Sequence, residues 1–117
     1  MLKIYGYMKC GTCRKAIKWL DGAGKKYEFI DITVKPPSGV MLKKILKGGD
    51  YKLKHLFNTS GVLYREMKMK EKLPGMSVGD AVELLSENGK LVKRPIVTDG
   101  EDFSVGFKEE VFEVKWG

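Results

Sequence analysis

The first 32 residues read as β-α-β, and this constrains the fold more than any other feature of the chain. Leu2 and Ile4, with Tyr7 as the furthest end of the pattern, alternate with Lys3 and Tyr5 as in a short strand. Cys13, Ala16, Ile17 and Leu20 then fall at i, i+3, i+4 and i+7, one apolar helical stripe. Asp21-Gly22-Ala23-Gly24 stops that helix, because glycine accepts the left-handed conformation of a helix end. Tyr27 and Phe29, with a run up to Ile32, give a second strand. A crossover of this length suits parallel strands.

Pro36-Pro37-Ser38-Gly39 breaks the pattern, and four short helical segments follow. The first spans about 40–47 and stops at Gly48-Gly49. The second is brief, about 51–57, with Asp50 as the expected N-cap. The third spans about 62–72, after the capping residues of Asn58-Thr59-Ser60-Gly61. The fourth starts at Ser77 with Asp80 three residues on, a capping-box pattern, and closes at Asn88-Gly89. The tail returns to strands: Lys93 to Thr98, a hairpin turn at Asp99-Gly100, then Phe103 and Val105 in alternation. A last helix covers about 108–115. The order is that of an α/β, thioredoxin-like (glutaredoxin-like) core, β-α-β then β-β-α, with an inserted helical lobe. One domain over 1–117 is expected, its core at about 1–35 and 90–117 and the lobe at about 36–89.

Chemistry concentrates at Cys10-Gly11-Thr12-Cys13. A CxxC beside a βαβ pattern reads as a redox motif. Cys10 stands where the helix begins, so the free backbone N–H groups of the first turn, those of Gly11 and Thr12 included, point toward its sulfur and the helix dipole favours its anion. Lys9, Arg14 and Lys15 flank the motif and act in the same sense. The thiolate is the reactive form of cysteine, and such settings lower a thiol pKa from about 8.5 to roughly 3.5–7.5. Cys13 belongs to the apolar stripe and should be the more buried. The division of labour is then Cys10 as nucleophile and Cys13 as the resolving thiol. Zinc needs about four ligands, and two cysteines with His55 do not supply them, so no metal site is expected. A lone histidine gives no basis for serine-type hydrolysis either, and His55 reads as a surface residue. Arg94-Pro95, late in the order and just ahead of a strand, is the second motif, with Arg94 placed to hold an anion or a peptide carbonyl.

The net charge of +7 favours anionic partners without selecting nucleic acid, because no recognition motif accompanies the lysines. No apolar run is long enough to cross a membrane, and the N-terminal residues lack the apolar segment of a secretory signal, so a cytoplasmic location is the expectation.

The chain resembles the ArsC/Spx family, which includes glutaredoxin-coupled arsenate reductases, the transcription regulator Spx and many small relatives. The resemblance runs nearly end to end. It is carried by Cys10-Gly11-Thr12-Cys13-Arg14-Lys15-Ala16 after the first strand, by Phe57-Asn58-Thr59-Ser60-Gly61 with Tyr64-Arg65-Glu66, and by Arg94-Pro95-Ile96-Val97. It implies a thioredoxin-like core with a helical lobe, an active-site cysteine at Cys10 and an anion-binding Arg94 before a cis-proline, Pro95. Cys10 and Cys13 are thus the catalytic candidates. Arg94, Pro95, Gly11, Thr12, Arg14 and Asn58 are the candidates for holding substrate.

Departures from the family pattern shape the functional expectation. Arsenate reductases of this type typically have serine at the place of Cys13 and hold the oxyanion with three arginines. Here only Arg94 matches, and the other two positions fall near Asn58 and Phe107. Each missing charge-assisted hydrogen bond is worth roughly 1.5–3 kcal/mol, which argues against efficient arsenate reduction. The CxxC is closer to Spx, whose cysteine pair is a redox switch, although Spx has a longer C-terminal part. The expectation is a thiol-disulfide oxidoreductase acting on a glutathione mixed disulfide, a protein disulfide or a small oxyanion. It would bind no cofactor and take electrons from glutathione, glutaredoxin or thioredoxin. The alternatives are a Spx-like regulator with RNA polymerase as partner, and a true glutathione- and glutaredoxin-dependent arsenate reductase.

Overall fold

In a computed structural model covering residues 1–117, the N-terminal alternation becomes β1 (Leu2–Gly6), and the apolar stripe becomes α1 (Gly11–Gly22). There follow β2 (Tyr27–Asp31), α2 (Gly39–Lys47), α3 (Val62–Glu66), α4 (Met69–Lys72), α5 (Val78–Glu87), β3 (Ile96–Thr98), β4 (Phe103–Val105) and α6 (Glu109–Trp116). These elements form two units, one of residues Met1–Asp31 with Arg94–Gly117, the other of Ile32–Lys93.

The first unit is a four-stranded sheet in the order β2-β1-β3-β4, with α1 and α6. β1 runs parallel to β2, from Leu2↔Tyr27 to Gly6↔Asp31, and antiparallel to β3, from Lys3↔Thr98 to Tyr5↔Ile96. β3 and β4 form the hairpin expected at Asp99-Gly100. Its turn is tied by the Asp99 carboxylate, which accepts the N–H groups of Glu101 and Asp102. Strand pairing sets one face of the sheet against both helices. Ile4 and Val97 meet Ala16 and Leu20 of α1 and Phe112 and Trp116 of α6, all buried. Burying each large side chain of this kind is worth about 1.5–3 kcal/mol. Trp19 stands edge-on to Phe112 at 5.4 Å between ring centroids, and Trp116 donates its indole N–H to Ser104 Oγ at 3.0 Å. Both tryptophans are packing residues. Lys115 ties α6 to the hairpin, donating to the Asp102 carboxylate and to the Phe103 carbonyl.

The second unit is helical. α2 packs on α5, burying Leu42 and Ile45 of one and Ala81, Val82 and Leu85 of the other. The Ser38 and Ser77 hydroxyls cap these helices, accepting from the N–H groups of Met41 and Asp80. Two helical expectations need correction. The segment near 51–57 is only a 3-10 turn over Leu53–Leu56, and its N-cap is Lys52 rather than Asp50. His55 Nδ1 accepts the Lys52 N–H at 3.0 Å, so this exposed histidine closes a local turn. The expected helix over 62–72 is two helices, because Lys68 turns left-handed (φ 53°, ψ 42°) between α3 and α4. Beyond α5 a further 3-10 turn, Gly89–Leu91, precedes a bridge between Phe57 and Val92. A side chain at Gly89 has no room there, since a Cβ would overlap the Ile32 carbonyl oxygen. No helix is long and apolar enough to cross a membrane.

Candidate functional site

β1 ends at Gly6, and the turn through Tyr7, Met8 and Lys9 delivers the chain to α1 with Cys10 as its N-cap residue (φ −87°, ψ 121°). The turn is closed by the Cys10 N–H, which donates to the Tyr7 carbonyl at 2.9 Å. The Cys10 carbonyl accepts the Arg14 N–H and so starts the helix. Cys10 is half-buried and Cys13, one turn on, is fully buried; both are free thiols. The Cys13 sulfur lies against the backbone of β1. Tyr7 donates its backbone N–H to Cys13 Sγ at 3.4 Å, and a Cβ built on Gly6 would stand 3.2 Å from the same sulfur. The missing side chain at Gly6 leaves room for the Cys13 sulfur to approach the strand this closely.

The surroundings shift the two thiols in opposite directions. Burial alone would raise the Cys10 thiol, but the Cys13 backbone N–H, the Cys13 thiol and the Arg94 guanidinium outweigh it, and Cys10 falls below the ordinary thiol value of 9.0. Burial pushes the Cys13 thiol up to about 12, and the neighbouring Cys10 sulfur adds to that rise against the Tyr7 N–H and Arg94, which oppose it. A thiolate at Cys10 and a thiol at Cys13 is the state this geometry favours.

Arg94 reaches the cysteines from the start of β3, and the Arg94–Pro95 peptide bond is cis. Its guanidinium carbon lies 5.4 Å from the centroid of the Tyr7 ring, within cation–π range, while its Nε is buried with no hydrogen-bond partner. Pro95 is buried, and its carbonyl accepts the Gly106 N–H at 2.9 Å. Gly11, Thr12 and Arg14 are exposed on the first turn of α1, directly after Cys10. Asn58 belongs to the helical unit, where its N–H donates to the Leu91 carbonyl at 2.7 Å and its side-chain amide lies against Gly61. It shapes the turn into α3. Phe107 packs edge-on against Phe112 at 4.8 Å, an aromatic contact at a position where an oxyanion site would need a cation. No three or more His, Cys, Asp or Glu side chains are grouped so as to hold a metal ion.

Tyr7 is the residue of this site that sequence reasoning read only as the possible end of a strand. Its role depends on pairing between segments far apart in the chain. The pairing of β1 with β3, Lys3↔Thr98 to Tyr5↔Ile96, brings the segments that carry Tyr7 and Arg94 together. Nothing near Tyr7 in the sequence signals that pairing.

The ArsC family model matches residues 5–114 of this chain. The chain belongs to the ArsC family. Among its relatives, the protein YusI of Bacillus subtilis (strain 168) is 51% identical over 98% of each chain. The global transcriptional regulator Spx of Enterococcus faecalis is 30% identical, over 94% of this chain and 82% of that one. A crystal structure of a possible arsenate reductase from Streptococcus mutans UA159 superposes with a TM-score of 0.89 at 36% identity, covering 97% of this chain and 98% of that one. The fold of this ArsC-family chain is therefore the thioredoxin-like one. At the level of the family it is a thiol-dependent reductase or a Spx-like regulator, and the free cysteine pair suits either.

Proposed function

We propose that this ArsC-family protein is a thiol-disulfide reductase that uses Cys10 to attack and Cys13 to resolve. The observation that supports it most is the pair of opposed thiols, Cys10 favoured as the anion beside Arg94 and Cys13 buried and protonated against Tyr7. In the first step the Cys10 thiolate attacks one sulfur of a substrate disulfide. That bond breaks, a Cys10 mixed disulfide forms, and the departing thiolate takes a proton from solvent. Cys10 then no longer carries charge, so one cause of the raised Cys13 pKa is gone, while the Tyr7 N–H and Arg94 remain to favour the Cys13 anion. Cys13 attacks Cys10 Sγ, the second substrate thiol leaves, and the enzyme is left as the Cys10–Cys13 disulfide. A low-molecular-weight thiol such as glutathione, or a dithiol protein of the glutaredoxin or thioredoxin kind, returns two electrons. The exposed Lys9, Arg14 and Lys15 and the guanidinium of Arg94 suit a substrate that carries carboxylates, as glutathione disulfides do.

The test is alkylation by iodoacetamide as a function of pH, with the adduct located by mass spectrometry. Cys10 is expected to react first, with a midpoint below that of a free thiol, and Cys13 only after unfolding. In turnover with glutathione mixed disulfides, Cys10→Ser should abolish activity and Cys13→Ser should accumulate a mixed disulfide. Full turnover by Cys10→Ser sinks the proposal.

The similarity to Spx supports a second reading, in which the same disulfide changes a surface that RNA polymerase reads. Retention of polymerase that depends on the redox state of the protein, without catalytic turnover, would favour it. Arsenate reduction has less support, since the places of two oxyanion arginines in the resemblance fall near Asn58 and Phe107, and neither carries charge.

A further inference from the structure

We propose that Tyr7 is the positioning residue of the thiol pair, its ring fixing the Arg94 guanidinium beside Cys10 while its backbone N–H fixes Cys13 Sγ. This rests on the reading of Cys10 as the nucleophile. An arginine head group at the end of a flexible stem needs something to hold it; its hydrogen bond to Cys10 is one such contact, but Arg94 Nε is buried and bonds nothing, so that side of the guanidinium has no polar partner to fix it. The Tyr7 ring, 5.4 Å from the guanidinium carbon, supplies a face that attracts the cation and restricts where it can lie. The placement is built into the sheet. β1 and β3 pair as far as Tyr5 and Ile96, and Tyr7 and Arg94 lie just outside that pairing, Arg94 across the cis bond to Pro95. Through its backbone the same residue donates to Cys13 Sγ at 3.4 Å. One residue thus touches both the cation that serves the attacking thiol and the sulfur of the resolving thiol.

The two contacts separate cleanly by substitution. A change of side chain removes the ring and leaves the N–H, so it acts on Cys10 through Arg94 and spares the bond to Cys13. The charged and titratable groups around Cys10 are Cys13 in α1, Arg94 ahead of β3, the phenol of Tyr7 itself, and Lys9, Arg14 and Lys15 in the turn and first turns of α1. Of the cations among these, Arg94 is the one that lies over the ring.

The experiment follows Cys10 alkylation against pH in the wild type, Tyr7→Phe, Tyr7→Leu, Arg94→Leu and the Tyr7→Leu/Arg94→Leu double variant. Tyr7→Leu should raise the Cys10 midpoint by about one pH unit, the scale of losing a close opposite charge. Tyr7→Phe, which keeps the ring, should follow the wild-type profile. Arg94→Leu should raise the midpoint at least as far as Tyr7→Leu, and the double variant should add nothing further. A residue that merely fills space would lower thermal stability without moving the midpoint. An unchanged midpoint in folded Tyr7→Leu overturns the inference and leaves the reductase reading standing. So does a double variant whose shift is the sum of the two singles, because Tyr7 would then act by a route other than Arg94. A wild-type midpoint no lower than that of a free thiol overturns both. If Tyr7→Leu does not fold, a Tyr7→Phe profile displaced from wild type overturns the inference, and a coincident one supports it.

Discussion

At the scale of single residues, the site depends on what is missing from Gly6 as much as on what the cysteines supply. A methyl group there would stand 3.2 Å from Cys13 Sγ and 3.3 Å from Phe29 Cε2, so both neighbours would have to give way. Overpacking of this kind costs typically 1–3 kcal/mol. Gly6→Ala should lower stability by about 1 kcal/mol or more in chemical denaturation. It should also slow resolution, seen as a mixed disulfide on Cys10 that persists longer than in the wild type. Unchanged stability together with an unchanged lifetime would show that the close approach is unimportant. Cys10, Cys13 and Arg94 were legible in the sequence because their signals are local: a spacing, a helix start, a dipeptide ahead of a strand. Gly6 and Tyr7 were not, because each matters through a neighbour that only the folded sheet supplies. The side chain of Asn58, read as a candidate for holding substrate, turns out to pack against Gly61 within its own turn.

At the scale of elements, periodicity predicted what packing then used. The stripe through Cys13, Ala16 and Leu20 is the buried face of α1, and the Ser77 cap and the Asp99-Gly100 turn stand where the sequence put them. Failures came where a local conformation interrupts a helical pattern. The apolar positions Leu63, Tyr64 and Met67 share one helical face, Met69 falls off it as the next helix starts, and nothing in the identity of Lys68 announces a left-handed residue. A side chain other than glycine or asparagine in that conformation costs roughly 1–2 kcal/mol. Lys68→Gly should therefore leave stability unchanged or raise it by up to about 1 kcal/mol, because relief of that cost is offset in part by the extra freedom glycine gives the unfolded chain. Lys68→Val, with a branched Cβ, should destabilise by about 1 kcal/mol or more. Thermal melts of the two variants check this, and a Lys68→Val melt at or above that of Lys68→Gly would contradict it.

At the scale of the whole molecule, charge and redox chemistry are unevenly distributed. Residues 32–93 hold twelve Lys and Arg against six Asp and Glu, whereas the remaining residues hold ten against nine. The net charge of +7 is thus mostly a property of the helical unit, and the lowering of the Cys10 pKa comes from local groups in a nearly neutral one. The opposed thiols should nonetheless leave a mark on the stability of the entire chain. Cys10 loses its proton more readily when folded than when unfolded, so as pH climbs from its lowered value to the ordinary 9.0 the unfolded chain binds more protons and the reduced protein gains stability. Cys13 does the reverse. Its folded value of about 12 lies above 9.0, so between the two the native state keeps a proton that the unfolded chain releases, and stability falls. Subtracting the denaturation free energy of a Cys10→Ser/Cys13→Ser double variant removes the other titrating groups, and the remaining difference should rise and then fall, with its maximum at about pH 9. In each single variant one limb should weaken: without Cys10 the rise disappears, and without Cys13 the fall disappears. A difference that is flat between pH 6 and 11, or one that only falls, would mean that Cys10 is not held as an anion in the native protein, and the nucleophile would have to be sought elsewhere.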